Sequence, residues 1–145
     1  MKFFTIGFTQ KSAEAFFNKL KSAGVETLYD IRLNNVSQLA GFTKRDDLRY
    51  FLSELCQIDY VHMPELAPSQ DILKAYKDGL IDWQAYEEQF TDLLSERRVE
   101  HFLDPLMFEH CCFLCSEPKP DRCHRRLVAE YLIEHWGHHI QLEHL

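Results

Sequence analysis

Two hydrophobic rhythms alternate along the chain. Short apolar runs of strand length are separated by longer stretches in which apolar residues return every three or four positions. Phe3–Ile6 is the first short run, and Gly7–Lys11 is its exit loop. Ser12 is placed to cap a helix whose apolar positions are Ala13, Phe16, Phe17 and Leu20, with Glu14 early in it and Gly24 as its stop. Thr27–Ile31 reads as a second strand with a polar exit at Arg32-Leu33-Asn34-Asn35. From there to Lys44 no period is visible, which predicts a surface loop. Asp46 or Asp47 then opens a helix with the stripe Leu48, Phe51, Leu52 and Leu55, and Ile58–Met63 reads as a third strand.

The second half repeats the alternation. Ile72–Tyr76 predicts a short helix ending near Gly79, and Asp82 caps a longer one bearing Trp83, Tyr86, Phe90, Leu93 and Leu94 on one face. Those aromatics are expected in the core, not as a stacking platform for bases. Cys111–Cys115 is a continuous apolar run, the pattern of a strand buried on both faces. Arg122–Trp136 reads as a helix with Asp121 as cap and Gly137 as stop, and His139–Leu142 as a last strand. The alternation predicts a three-layer, Rossmann-like α/β domain: a mainly parallel sheet of about five strands with helices on both faces. No repeat or linker divides residues 1–145, so one domain is expected.

Charge and cysteine content narrow the function. Sixteen basic residues against 23 acidic ones give a formal net charge of −7. That excludes a general nucleic-acid coat, which needs many phosphate contacts, though not a local basic pocket. The apolar run at the N-terminus is too short for a signal-peptide core, and no stretch reaches membrane-spanning length. Five cysteines without a disulfide framework point to a reducing cytoplasm. Oligomeric state is not legible.

In an open α/β sheet, ligands bind beyond the carboxyl ends of the strands. That rule gathers Gly7 and Thr9 from the first strand, Asp30 and Arg32 from the second, His62 and Glu65 from the third, and Cys115, Ser116 and Glu117 from the fourth. The segment from Cys115 to Arg126 carries the most chemistry. It crowds Arg122, His124, Arg125 and Arg126 where a helix start is already positive, each disfavoured by roughly 0.3–1 kcal/mol. An anion, the carboxylates of Glu117 and Asp30, or a Cys123 thiolate would offset them.

Several chemistries fit these residues. Arg32, His124 and Arg125, with Arg122 as a further candidate, would hold an anion, Asp30 and Glu117 would orient the arginines or move protons, and Gly7 would admit the ligand close to the backbone. Cys115, Glu117 and Cys123 are the candidate catalytic groups. Cys115 also begins a strand-to-helix loop closed by Arg122, as in cysteine phosphatases and rhodaneses, but with six intervening residues instead of five and with Pro118 and Pro120 withholding amide donors. Zinc at Cys112, Cys115, Cys123 and His124 has suitable residue types and poor expected geometry. Cys112 and Cys115 face opposite ways on a strand, and helical neighbours Cys123 and His124 diverge by about 100°. No metal and no cofactor is therefore expected, Cys111 and Cys112 are assigned to the core, and the histidines at 135, 138, 139 and 144 to the surface.

Thr5-Ile6-Gly7-Phe8-Thr9-x-Lys11-Ser12, Asp30-Ile31-Arg32, Ser37 with Gly41-Phe42, and Leu114-Cys115-Ser116-Glu117 with Cys123-His124-Arg125 together resemble the bacterial and archaeal domain of unknown function 488 family. The resemblance spans nearly the whole chain. It implies a compact α/β domain with a polar pocket built from those motifs, and no assigned reaction. Asn34-Asn35 and Leu66-Ala67-Pro68 depart from the family's usual proline and its usual Leu-Gly-Gly turn. The expected activity is binding or processing of a small anionic, phosphate-containing or nucleotide-like ligand. The alternatives are a non-catalytic interaction module, its Cys-His-Arg motif a structural salt-bridge network, and a cysteine-dependent phosphatase or rhodanese-like enzyme.

Overall fold

A computed structural model describes residues 1–36, 41–117 and 119–145. Ser37 of the resembling motif and Pro118 of the site segment lie outside the described residues, as does part of the loop expected before Lys44. Five strands form one parallel sheet: β1 (Lys2–Gly7), β2 (Thr27–Asp30), β3 (Asp59–His62), β4 (Cys111–Cys115) and β5 (Gln141–His144). Their order is β3-β2-β4-β1-β5. The helices are α1 (Ala13–Ala23), α2 (Arg45–Phe51), α3 (Gln70–Lys77), α4 (Trp83–Arg97), α5 (Val99–Phe102) and α6 (His124–Trp136). A π-helical turn, Leu52–Cys56, continues α2.

Local chemistry fixes most of the ends. The Ser12, Ser69 and Asp82 side chains each accept a backbone N–H in the first turn of the helix they precede. Gly24 stops α1 in the left-handed region at φ 77°, where a Cβ is unwelcome. Helix α2 instead starts at Arg45 with no side-chain cap, and Asp46 and Asp47 lie within its first turn.

Side-chain alternation on the central strands sorts the core into two layers. Phe4, Ile6, Leu28, Cys112 and Leu114 face Phe16, Phe17 and Leu20 of α1 and Leu48 of α2. Phe3, Tyr29, Cys111 and Phe113 face Phe90 and Leu94 of α4 and Val128 and Leu132 of α6. All five residues of β4 are buried, as its uninterrupted apolar run requires of a strand covered on both faces. The crossovers after β1 and β2 therefore run over one face and the connection after β4 over the other. β4 lies between β1 and β2, so its exit is flanked on both sides by chain departing the opposite way. That is a topological switch point, where such sheets open crevices. No helix among the described residues is long and apolar enough to cross a membrane.

Candidate functional site

The two flanks of the β4 exit are built differently. On the β1 side the gap is sealed. The Thr9 hydroxyl and amide both donate to the Ser116 carbonyl, at 2.5 and 3.1 Å. The Glu117 carbonyl lies over Gly7, so close that a Cβ there would collide with it. Arg125, with no solvent exposure, fills the remaining space, its Nη1 donating to that same Glu117 carbonyl. Gly7 thus gives close approach to the protein's own loop and to Arg125.

On the β2 side the gap is open. A cavity of about 470 Å³ is lined by Arg32 and Asn34 from the β2 exit, by Cys115, Ser116 and Glu117 from the β4 exit, and by Arg122, Cys123 and His124 at the start of α6. Its far wall is Tyr76 and Lys77 of α3 with Trp83 and Tyr86 of α4. The Trp83 and Tyr86 rings stack at 5.0 Å with 19° between their planes. Helical spacing placed these aromatics in the core. Tyr86 is buried, but together with half-buried Trp83 it also presents a flat apolar wall to the cavity. Asn34 and Pro68, where the chain departs from the family's usual residues, both line the same space.

Arg32 forms part of the cavity wall, with Asp30 buried behind it. Asp30 is fully buried and accepts from Arg32 Nε and Nη2 at 2.8 Å each, from the Tyr60 hydroxyl at 2.5 Å and from Asn35 at 3.3 Å. Burial alone would raise its carboxyl. The hydrogen bonds and charge of Arg32 outweigh that and hold it below the ordinary carboxylate value. Asp30 is thus an arginine partner held ionised, with a pKa unsuited to a general base. Arg32 Nη2 also donates to the Thr43 carbonyl. Its Nη1 is buried with no hydrogen-bond partner among the described residues. His62 contacts the Arg32 carbonyl at 3.0 Å from the edge strand, and Glu65 sits exposed on a 3-10 turn that Arg97 fastens through backbone carbonyls.

Helix α6 begins later than its pattern suggests, and the difference rebuilds the site. Asp121 is not its cap. Cys123 occupies that position in extended conformation, φ −138° and ψ 139°, with no side-chain cap bond. The Cys123 amide instead donates to the Pro120 carbonyl, closing a turn before the helix starts. Cys123 and His124 therefore do not diverge as helical neighbours would. The Cys115 and Cys123 sulfurs are joined as a disulfide across eight residues, and His124 Nδ1 lies 3.5 Å from Cys115 Sγ. The sulfurs and a His124 ring nitrogen lie within 4.8 Å of one another. Cys112, by contrast, points into the α1–α2 core layer, where burial pushes its thiol up. The zinc geometry expected from strand and helix periodicity is thus corrected in part: Cys112 stays apart, and the other three residues meet.

His124 Nε2 lies 2.7 Å from the Ile31 carbonyl. A carbonyl only accepts, so Nε2 carries the proton and Nδ1 presents a lone pair towards the sulfurs. Burial depresses the imidazole to about 4 and keeps it neutral. Burial likewise lowers Arg125 to about 10. Arg125 sits on the sealed flank and does not line the cavity. Its Nε and Nη2 are buried without partners among the described residues. Arg122 does line the cavity and is exposed, whereas Arg126 turns outward to Glu130 and Glu87. The Glu117 side chain is exposed, and Arg125 engages the backbone of Glu117, not its carboxylate. Sequence reasoning missed Ile31: a backbone acceptor contributed by the exit of another strand leaves no trace in side-chain pattern.

A parallel α/β domain with a disulfide-, imidazole- and guanidinium-lined cleft at a switch point defines the class of molecule. Within that class the chain belongs to a family described as domain of unknown function DUF488, whose model matches residues 12–132. No curated protein and no solved structure matches the chain.

Proposed function

We propose that the protein binds a small anionic ligand, phosphate-containing or nucleotide-like, in the cavity between the β2 and β4 exits. The observation that carries this reading is Arg32: a guanidinium in the cavity wall, buried and clamped by Asp30, with one nitrogen left without a partner among the described residues. A buried unpaired donor costs about 1–3 kcal/mol, which a bound anion would recover. Arg122 and Lys77 add positive charge at the rim of a chain that is otherwise net negative. The Trp83–Tyr86 stack offers a planar ring an apolar face, which favours a nucleotide over a bare phosphate. The free thiols of Cys56, Cys111 and Cys112 fit a cytoplasmic location, and the Cys115–Cys123 disulfide runs against it.

A second reading, a non-catalytic interaction module, draws on the density of the Asp30, Arg32, Asn35 and Tyr60 network, which holds the fold without any ligand. Cysteine-dependent catalysis fits less well, because the Cys115 sulfur is bonded to Cys123 and Pro120 withholds an amide from the loop.

Thermal unfolding against phosphate, sulfate, mononucleotides and dinucleotides at constant ionic strength separates the first two. Ligand at a hundredfold excess over its Kd adds about 2.7 kcal/mol of stability, a rise of several degrees. Arg32→Lys, which keeps the charge opposite Asp30, should abolish the rise. A melting temperature unmoved across the panel, in oxidised and reduced protein alike, rejects ligand binding in favour of the module.

A further inference from the structure

The floor of the cavity is made of three metal-ligand side chains, none of which the anion reading needs. Cys115, Cys123 and His124 are all buried, all line the cavity, and bring their donor atoms within 4.8 Å. Two segments place them: the carboxyl end of β4, and the start of α6 with the extended residue just before it. The tautomer of His124 is fixed by the Ile31 carbonyl, so that Nδ1, the nitrogen beside the sulfurs, is the one with a lone pair. Metal-ligating histidines are held in this way, with the second ring nitrogen donating to a carbonyl or carboxylate.

We propose that the reduced protein binds one zinc-like divalent ion through Cys115 Sγ, Cys123 Sγ and His124 Nδ1, its fourth position facing the cavity. Two thiolates and an imidazole are the donors that borderline-soft ions prefer, and three protein ligands with one open position are the pattern of reactive rather than structural zinc. The two thiolates cancel the charge of the ion, so the buried site gains none. Arg125 Nη1 lies 3.8 Å from Cys123 Sγ, a guanidinium donor beside that sulfur. The Cα atoms of the two cysteines stand 7.2 Å apart, room enough for two sulfurs at about 2.3 Å from a shared ion.

Disulfide and metal site use the same sulfurs and exclude each other. Reduction comes first: an external dithiol delivers two electrons and two protons, closes to its own disulfide, and leaves Cys115 and Cys123 as thiols. Each thiol then releases its proton as it binds the ion. Metal uptake is therefore conditional on the redox state of the pair. The proposal does not rest on the anion reading: an ion can bind when no anion does, and the reverse.

The test is metal stoichiometry in two redox states of the wild-type chain. Protein reduced with a dithiol, freed of reductant and chelator under nitrogen and titrated with Zn²⁺ should retain one ion per chain by elemental analysis after gel filtration. The oxidised protein should retain none. Co²⁺ in place of Zn²⁺ should give a thiolate-to-cobalt charge-transfer band and the visible bands of a four-coordinate ion. Cys115→Ser and His124→Asn should each weaken retention at least about tenfold, while Cys56→Ser leaves it unchanged. Equal uptake in both redox states, no uptake by the reduced chain, or undiminished uptake by a folded Cys115→Ser/Cys123→Ser protein each overturns the site. The first and third outcomes would assign the ion to surface histidines instead.

Discussion

The two flanks of the β4 exit start from the same backbone event and end as opposites. Against β1, the loop after β4 is pulled down by Thr9, packed over Gly7 and plugged by Arg125. Against β2, the same loop stands away and leaves room for a ligand. A switch point thus supplies only the opportunity for a cleft. Which flank opens depends on side-chain size and on where each arginine finds its acceptor. Arg32 reaches back to the carboxylate two residues before it and lies along the wall. Arg125 takes a main-chain carbonyl and blocks the space.

The strongest way to break the open flank is Asp30→Asn. It leaves Arg32 charged, buried and without a counter-ion, which should cost about 3–5 kcal/mol. Urea denaturation reads the loss directly, and a cost under about 1 kcal/mol would show that water already screens the pair. The sealed flank has its own test in Gly7→Ala. The added carbon meets the Glu117 backbone and cannot be absorbed by a flexible side chain. About 3 kcal/mol of destabilisation is expected, with the loop lifted and Thr9 released.

The smallest effect concerns His124, which ties the β2 exit to the β4 exit, and it is read as pH dependence. Its folded-state value is depressed from 6.5 to about 4, so the unfolded chain binds the proton first as pH falls. Stability is therefore full above about pH 6.5 and declines towards pH 4, by on the order of 2 kcal/mol between pH 6.5 and 5. His124→Asn should flatten that slope. The Asp30 contribution, present above the ordinary carboxylate value and lost as pH falls through its lowered one, appears at more acidic pH, so the two windows separate.

The sequence pattern carried the architecture well because strands and caps are local. The bounds of β4 match the apolar run residue for residue, and Ser12, Gly24 and Asp82 act where their chemistry says they should. Strand ends elsewhere shift by one or two residues, as at His139–Leu142 against the observed Gln141–His144. What stayed hidden was long-range or conformational. The extended backbone of Cys123 follows from the turn that closes on Pro120, which helical periodicity does not register. The same periodicity cannot tell a helix face packed on a core from one, like that of Trp83 and Tyr86, shared between core and cavity. The Asp30–Arg32 pair was legible from two residues at one strand end, whereas the guanidinium of Arg125 turned inward to a carbonyl that no side-chain pattern announces.

The chain has only two tryptophans, and they stand in different places. Trp83 lies along the cavity against Tyr86, while Trp136 packs edge-on to Phe3 under the far end of α6. Their fluorescence gives the molecule two built-in reporters. Both are half-buried, but only the first faces the cleft, so a ligand seated there would perturb Trp83 directly and leave Trp136 as an internal reference.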